Sequence, residues 1–476
     1  MENQSIERFT VPTILVIFGI TGDLSRRKLL PALFDLFSGG FLPERFKLVG
    51  FARSTYSDEE FRTFVRDALQ EQNHNHSEDQ LNAFLGTIHY TQGLFDNLEA
   101  YQQLSKRLGT IDDTLGQCTN KLFYLAVPPK FYEELFEHLA DSGLTIPCSN
   151  EEGWTRVLVE KPFGKDVETA RKLDAKLSTL FKEEQIFRID HYLAKETVQN
   201  ILAFRFSNIF FEPVWNSIYI DHVRILLSES IGVDGRGNFY DDVGAIRDVG
   251  QNHLLQLLAL VAMEHPGTFA ADAIRRERVN VFQSLEPITL EATRNHVRLG
   301  QYRGYQDVPG VQEHSKTETY FSLRVFLNNE RWKGVPFLIE GGKKLKEHKT
   351  EVVISFKEPT PCLCRSHEDE PQYDVLTFRI QPDEGISIRF WAKRPGFGFV
   401  VEPRELSFSY ADPVHSEQLR GAYQKILFDC IRGDQTLFAR SDELDLTWKF
   451  ITPILEHRDT LELMMYEQGS EPLTND

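Results

Sequence analysis

Cysteine is scarce: Cys118, Cys148, Cys362, Cys364 and Cys430 are the only five in 476 residues. So few, and an odd number, exclude a disulfide-stapled scaffold, and the Cys362-x-Cys364 pair has no second pair or histidine at zinc spacing. Unpaired thiols in a reducing compartment, and no metal, are the expectation. Long apolar runs are missing as well. The run Ile14 to Phe18 is far too short to span a membrane, and Met1 to Thr10 lacks the basic n-region and cleavage site of a secretory leader. A cytoplasmic protein without a membrane partner is expected. Basic residues are in deficit, 53 against 71 acidic, leaving a formal charge of −18. Such a surface repels nucleic acid, so no nucleic-acid partner is expected, and any anionic ligand needs a local cluster of cations. Repeats and biased segments are absent too, and 41% hydrophobic with 12% aromatic content rules out a disordered chain.

What is present falls into two rhythms. From Thr13 to about Ile189, short β-rich runs (Thr13 to Phe18, Phe46 to Phe51, Lys121 to Val127, Arg156 to Glu160, Ile186 to Ile189) alternate with amphipathic segments. One of these, Ser57 to Gln70, opens with the capping box Ser57-x-x-Glu60. Alternation of this kind is the pattern of a parallel sheet covered on both faces. After about residue 200, period-2 strands follow one another without intervening helices: Phe321/Leu323/Val325/Leu327, Leu376/Phe378/Ile380, Ile386/Ile388/Phe390 and Leu406/Phe408/Tyr410. Two helical segments close the chain, Ser416 to Arg432 and Asp442 to His457, the second with a kink expected near Pro453. The fold expected is an α/β Rossmann-type dinucleotide-binding domain over residues 1–185, then a larger α+β domain with a mainly antiparallel sheet over residues 186–476.

The first strand runs straight into Gly19-Ile20-Thr21-Gly22-Asp23-Leu24, then Ser25-Arg26-Arg27-Lys28 and an apolar-periodic helix. Glycine there permits close approach of a pyrophosphate, and the helix N-terminus offers free N–H groups. A Gly-x-x-Gly turn serves equally as a tight connection, and the end of the second strand sharpens the choice. Arg53 stands where NAD-specific folds carry an acidic residue for the ribose hydroxyls; arginine favours a 2′-phosphate, hence NADP. NAD stays open as a second acceptor. Arg26 and Arg27 are candidates to join the same anion site.

Three further segments concentrate polar groups. Lys161, in Glu160-Lys161-Pro162-Phe163-Gly164, ends a strand on the side where doubly wound sheets bind ligands. In Asp190-His191-Tyr192-Leu193-Ala194-Lys195, helical continuation would set His191 and Lys195 at i and i+4, suited to a phosphate dianion or equally to an ordinary surface helix. In Arg247-Asp248-Val249-Gly250-Gln251-Asn252-His253, His253 falls on the inward stripe of an apolar helix. A core histidine is the plainer reading of that position, but burying so many polar groups without a task is costly.

Together these segments resemble the glucose-6-phosphate dehydrogenases. The resemblance rests on the Gly19 to Leu24 turn, Ala52-Arg53-Ser54, Tyr124-Leu125-Ala126-Val127-Pro128-Pro129, Glu160 to Gly164, Arg188-Ile189-Asp190-His191-Tyr192-Leu193, Gly235-Arg236-Gly237, Arg247 to His253 and Arg440-Ser441-Asp442-Glu443. It implies that His253 is the general base toward the anomeric hydroxyl of glucose 6-phosphate, with Asp190 as its orienting partner. His191, Tyr192 and Lys195 resemble the phosphate-binding set, while Lys161, Glu229, Asp248 and Lys343 match positions that hold sugar hydroxyls. Gly19, Thr21, Gly22, Asp23, Leu24, Arg53 and Lys161 are the expected cofactor residues, the cofactor being NADP and the product 6-phosphoglucono-1,5-lactone. A homodimer or homotetramer is expected, formed by the second domain.

Some positions depart from the family pattern. Its Arg-x-Gly-Lys element reads Glu340-Gly341-Gly342-Lys343 here, an anion beside a sugar-binding lysine, which implies weaker or pH-dependent substrate affinity. A second basic position falls on His348 or Lys349. Ala194 replaces a commoner glycine and favours helix there. The longer tail that completes a second NADP site in some members is expected to be missing after Asp476. Two other readings stand beside this one: a broader sugar or hexose-6-phosphate dehydrogenase, and a nucleotide-binding scaffold that has lost catalysis.

Overall fold

Thr13–Phe18 carries nothing polar after its first residue, and all six side chains are buried, as a strand covered on both faces requires. A computed structural model describes residues 11–72, 77–148, 153–358, 373–412 and 420–473. The segments Met1 to Thr10 and Ser416 to Leu419 and the residues Cys362 and Cys364, all singled out above, lie outside the described residues. The chain divides into two compact units.

The first unit holds residues up to 164, 168–194 and 420–441. Its strands are β1 (Thr13–Phe18), β2 (Phe46–Ala52), β3 (Ile88–Gln92), β4 (Asn120–Leu125), β5 (Thr155–Val159), β6 (Ile186–Ile189) and the short β15 (Phe438–Ala439). They form one sheet in the order β15-β6-β5-β4-β1-β2-β3. All neighbours are parallel except β15 with β6. Strand order reverses between β1 and β4, the point at which a sheet of this kind forms its ligand crevice. The predicted capping box forms as expected: Glu60 N–H donates to Ser57 Oγ at 3.2 Å and Ser57 N–H to Glu60 Oε2 at 2.7 Å.

Two boundaries differ from expectation. Because β6 pairs with β5, residues 186–194 belong to the first unit, so the division falls after Ala194 rather than after residue 185. Residues 420–441 also return to this unit; there Gln435 Nε2 donates to the Glu183 and Ile186 carbonyls at 2.9 and 3.0 Å. The helix expected from Ser416 begins at Ala422 within the described residues.

The second unit carries β7 (Ile220–Ser228), β8 (Val297–Tyr302), β9 (Tyr320–Val325), β10 (Phe337–Gly342), β11 (Lys349–Phe356), β12 (Val375–Gln381), β13 (Gly385–Lys393), β14 (Val401–Ser409) and β16 (Leu463–Tyr466). They make one sheet ordered β14-β13-β12-β11-β7-β10-β9-β8-β16. It is antiparallel except for β10 with β7 and β16 with β8. Its first strand by order, β14, differs from the expectation of one covered face, since Leu406 and Phe408 are 64% and 41% exposed. Across β9 and β10 lies a helical stretch of three parts: Gly237–Ala245, a π-helical segment Ile246–Leu254, and Leu255–Ala262. Glycine at 341 permits that close approach, since a Cβ there would sit 2.9 Å from Val249 Cγ2. The last long helix, Ser441–His457, runs continuously with Pro453 inside it. Among the described residues, no helix is long and apolar enough to cross a membrane.

Candidate active site

In the first unit, the turn after β1 has the geometry that the glycines imply. Gly19 takes φ +80°, and a Cβ there would collide with the Ala126 carbonyl oxygen, so only glycine fits between the ends of β1 and β4. Gly22 N–H closes the turn onto Gly19 O at 2.9 Å and Ser25 Oγ donates to the same carbonyl at 3.1 Å. A cleft of about 540 Å³ opens at this point, lined by Gly19, Thr21, Gly22, Arg53, Lys130 and Phe131 among others. Its size suits a dinucleotide, and the helix start beneath it offers N–H groups to phosphate. Arg53 stands exposed at the rim.

Five expected contributors, Lys161 among them, lie outside the lining of that cleft. Asp23 and Arg27 pair with each other at 2.7 Å, and Arg26 pairs with Glu71. Leu24 lies in the first turn of the helix behind the glycine turn. Lys130 and the aromatic wall of Phe95 and Phe131 were not anticipated. The signal for Lys130 was its place directly after Val127-Pro128-Pro129, a strand end beside the crevice.

The ends of β5 and β6 carry the next group. Glu160 accepts from Tyr124 Oη at 2.6 Å, and Tyr132 Oη donates to its carbonyl at 2.9 Å. Burial lifts the Glu160 carboxyl, against the pull of Tyr124 and Lys161. Lys161 follows it as the first residue beyond that hydrogen-bonded anchor, outside the lining of the nucleotide cleft. Asp190, 6% exposed, accepts from Tyr192 N–H at 3.0 Å, which folds residues 190–194 into a turn. The His191 ring stacks parallel to Tyr423, centroids 6.3 Å apart.

That turn corrects one expectation. His191 and Lys195 are not stacked at i and i+4 on a helix, because the helix is Glu196–Phe206 and Lys195 is its N-cap. Asp190 wins the competition for the backbone N–H groups ahead of it, and this local turn displaces the helical start that Ala194 seemed to favour.

In the second unit, Lys195 Nζ donates to Gln381 Oε1 at 2.5 Å, and Gln381 Nε2 lies 3.3 Å from His348 Nε2. Desolvation pulls the Lys195 pKa down against the attraction of Glu384. Of the two alternatives for the second basic position, His348 is the one joined to Lys195; Lys349 is paired at 3.3 Å with both Glu347 and Glu351.

Three expected sugar-binding residues converge. Lys343, 3% exposed, pairs with Glu229 and lies 3.3 Å from Asp248 Oδ2, with the Tyr240 ring 5.1 Å from its Nζ. Asp248 and His253 both ride on the π-helical segment, where i→i+5 bonding sets them one turn apart. His253 is 1% exposed, and its backbone N–H donates to Asn252 Oδ1 at 2.6 Å. Gln251 is fixed by Thr447 Oγ1 at 2.9 Å. The side chains of Gln251 and Asp248 are thus held individually, which answers part of the cost of burying polar groups on this segment. Glu340 takes no part: it is buried against Arg224, whose Nε and Nη2 donate to its Oε2 at 3.0 and 2.6 Å. Glu340 thus pairs with Arg224 of β7 rather than with Lys343, whose partners are Glu229 and Asp248.

Comparison with known proteins covers nearly the whole chain. The family description "Glucose-6-phosphate dehydrogenase, NAD binding domain" matches residues 16–200, and "Glucose-6-phosphate dehydrogenase, C-terminal domain" matches residues 202–474. The glucose-6-phosphate 1-dehydrogenase of Borreliella burgdorferi is 40% identical over 481 residues, spanning 99% of this chain and 96% of the relative. That of Aggregatibacter actinomycetemcomitans is 43% identical over 468 residues, spanning 96% and 93%. A solved glucose-6-phosphate dehydrogenase in complex with its substrate glucose-6-phosphate superposes with a TM-score of 0.90 at 36% identity, covering 98% of this chain and 96% of that one. The enzyme from Mycobacterium avium follows at 0.81 and 34%, covering 96% and 95%.

Proposed function

From the premise that the chain belongs to the glucose-6-phosphate dehydrogenase family, we propose a reaction scheme built on its own residues. The enzyme is a glucose-6-phosphate 1-dehydrogenase that oxidises D-glucose 6-phosphate to 6-phosphoglucono-1,5-lactone. The observation that carries the scheme is the convergence of Lys343, Glu229 and Asp248 beside the segment bearing His253. His253 removes the proton of the anomeric hydroxyl, the C1–O bond gains double-bond character, and the C1 hydrogen leaves as hydride. Asp190 is the carboxylate that orients the base and stabilises the imidazolium. Lys161, Glu229, Asp248 and Lys343 hold the sugar hydroxyls, whereas His191, Tyr192 and Lys195 hold the phosphate.

The dinucleotide, when bound, supplies the hydride acceptor. NADP is the preferred one: the glycine-only turn of Gly19 and Gly22 receives the pyrophosphate and Arg53 the 2′-phosphate, with Thr21 and Lys130 along the cleft. We further take the enzyme to be a cytoplasmic homodimer or homotetramer, a reading supported by the exposed apolar residues of β14.

The test is His253→Asn. Turnover should fall by about 10³-fold or more, as expected for loss of a general base acting with its partners, with glucose 6-phosphate binding retained. Normal turnover in that variant would remove His253 from the scheme. Free glucose in place of the phosphate ester separates this activity from a general sugar dehydrogenase, because Lys195 and His191 matter only to a phosphorylated substrate.

A further inference from the structure

The first N–H groups of a helical segment have no partner within it and must find one elsewhere. In the segment bearing Asp248 and His253 they find Glu318. Ile246 N–H donates to Glu318 Oε1 at 3.2 Å, and the adjacent Ala245 N–H donates to the Glu318 backbone carbonyl at 3.0 Å. Gly244, at φ +72°, makes room for this clamp: a Cβ there would collide with the Glu318 carboxylate. Glu318 is fully buried, and among the described residues its Oε2 has no hydrogen-bond partner. Arg247 and Arg458 are the cations that face it, and Tyr240 and Tyr305 the other titratable groups. Tyr240 in turn lies against Lys343. Burying a carboxylate with one oxygen unsatisfied costs stability, so packing alone does not account for it.

We propose that Glu318 is a positioning residue for the dehydrogenase reaction: by clamping the start of the segment it sets where Asp248 stands against Lys343 and where His253 presents its ring. The inference rests on the reading of His253 as the base. Neither spacing nor composition pointed to Glu318, which sits in an unremarkable Thr317-Glu318-Thr319 at the entry to β9.

The experiment compares Glu318→Gln with Glu318→Asp in the full-length enzyme, measuring kcat, KM for glucose 6-phosphate and the thermal midpoint. Glutamine keeps an acceptor oxygen at the same reach; aspartate withdraws it by about one C–C bond, ~1.5 Å. Misplacement of that order costs about 10²-fold in rate. The expected result is kcat within about threefold of wild type for the glutamine variant and a loss of about tenfold or more for the aspartate variant. KM should stay within about threefold in the glutamine variant and rise in the aspartate variant by less than kcat falls, because Asp248 meets the sugar hydroxyls through Lys343 while the phosphate-binding residues lie on other segments. A merely structural Glu318 would lower the midpoint of the aspartate variant and leave kcat per folded molecule unchanged, and that outcome overturns the proposal. An equal loss in both variants overturns it too. Should the aspartate variant not fold, the glutamine variant decides: a kcat loss beyond about threefold is the overturning result. His253→Asn, run alongside, reports separately on the base, since activity there defeats that assignment whatever Glu318 does.

Discussion

Lys343 Nζ lies 3.3 Å from Asp248 Oδ2 while also holding Glu229, so one buried ammonium separates two carboxylates. Replacing it by methionine leaves those carboxylates facing each other without a counter-charge, at a cost of several kcal/mol shared between stability and binding. Lys343→Met is expected to lower kcat/KM for glucose 6-phosphate about 100-fold, chiefly through KM. Lys343→Arg should not restore it, because a guanidinium does not fit a site where lysine is 3% exposed. Initial rates over a range of sugar phosphate, with a melting curve for each variant, check this; a rescue by arginine would refute the geometry.

Arg53 stands at the rim of the cleft, whereas Arg26 and Arg27 pair with Glu71 and Asp23, so the proposed scheme assigns recognition of a 2′-phosphate to Arg53 with help from Lys130. A hydrogen bond to a charged group contributes about 1.5–3 kcal/mol. Arg53→Gln is therefore expected to lower kcat/KM for NADP by about 10- to 100-fold and to leave that for NAD within about twofold. Rates with both cofactors at saturating glucose 6-phosphate decide it, and an equal fall with both would show that Arg53 holds adenine rather than phosphate.

The parts legible in the sequence were those set by local rules. Alternation gave both sheets, Ser57-x-x-Glu60 gave its cap, and Gly19 marked the one turn that glycine alone can make. What escaped depended on partners distant in the chain. The strand Ile88–Gln92 carries His89, Thr91 and Gln92, too polar to announce itself, and is a strand because β2 pairs with it. The turn at Asp190 replaced a helix because a side chain took the N–H of Tyr192. Residues 420–441 return to the first sheet through contacts more than 200 positions away, which no window along the chain can contain. The π-helical spacing of Asp248 and His253 likewise departs from the 3.6-residue wheel on which His253 was first placed.

Asp429 carries a pH dependence of its own. Burial pushes its carboxyl up to about 6 despite Lys425 at 2.6 Å. The native state therefore holds this proton at pH values where the unfolded chain, near 3.8, has lost it. Stability from this group is full below about pH 4 and is lost as pH rises through about 6, by about 3 kcal/mol in all. Asp429→Asn removes the effect, so its melting temperature should exceed that of wild type at pH 7.5 and approach it at pH 4.5. Parallel stability curves for the two proteins would sink the assignment.

Glu340 offers the sharpest test of structure against family pattern. Restoring arginine there is what the pattern recommends for tighter substrate binding. The register argues otherwise: Glu340 lies opposite Leu226 on β7, diagonal to Arg224, whose guanidinium it neutralises in a site where it is 2% exposed. Glu340→Arg sets two guanidinium groups together in that site and is expected to destabilise the protein by about 3–5 kcal/mol with no gain in KM for glucose 6-phosphate. Replacing both partners, Arg224→Met with Glu340→Leu, removes the charges together and should recover most of that stability. Activity of the double variant should match wild type, because Lys343 draws its partners from Glu229 and Asp248. A lower KM in the single arginine variant would mean that position 340 acts on the sugar site after all.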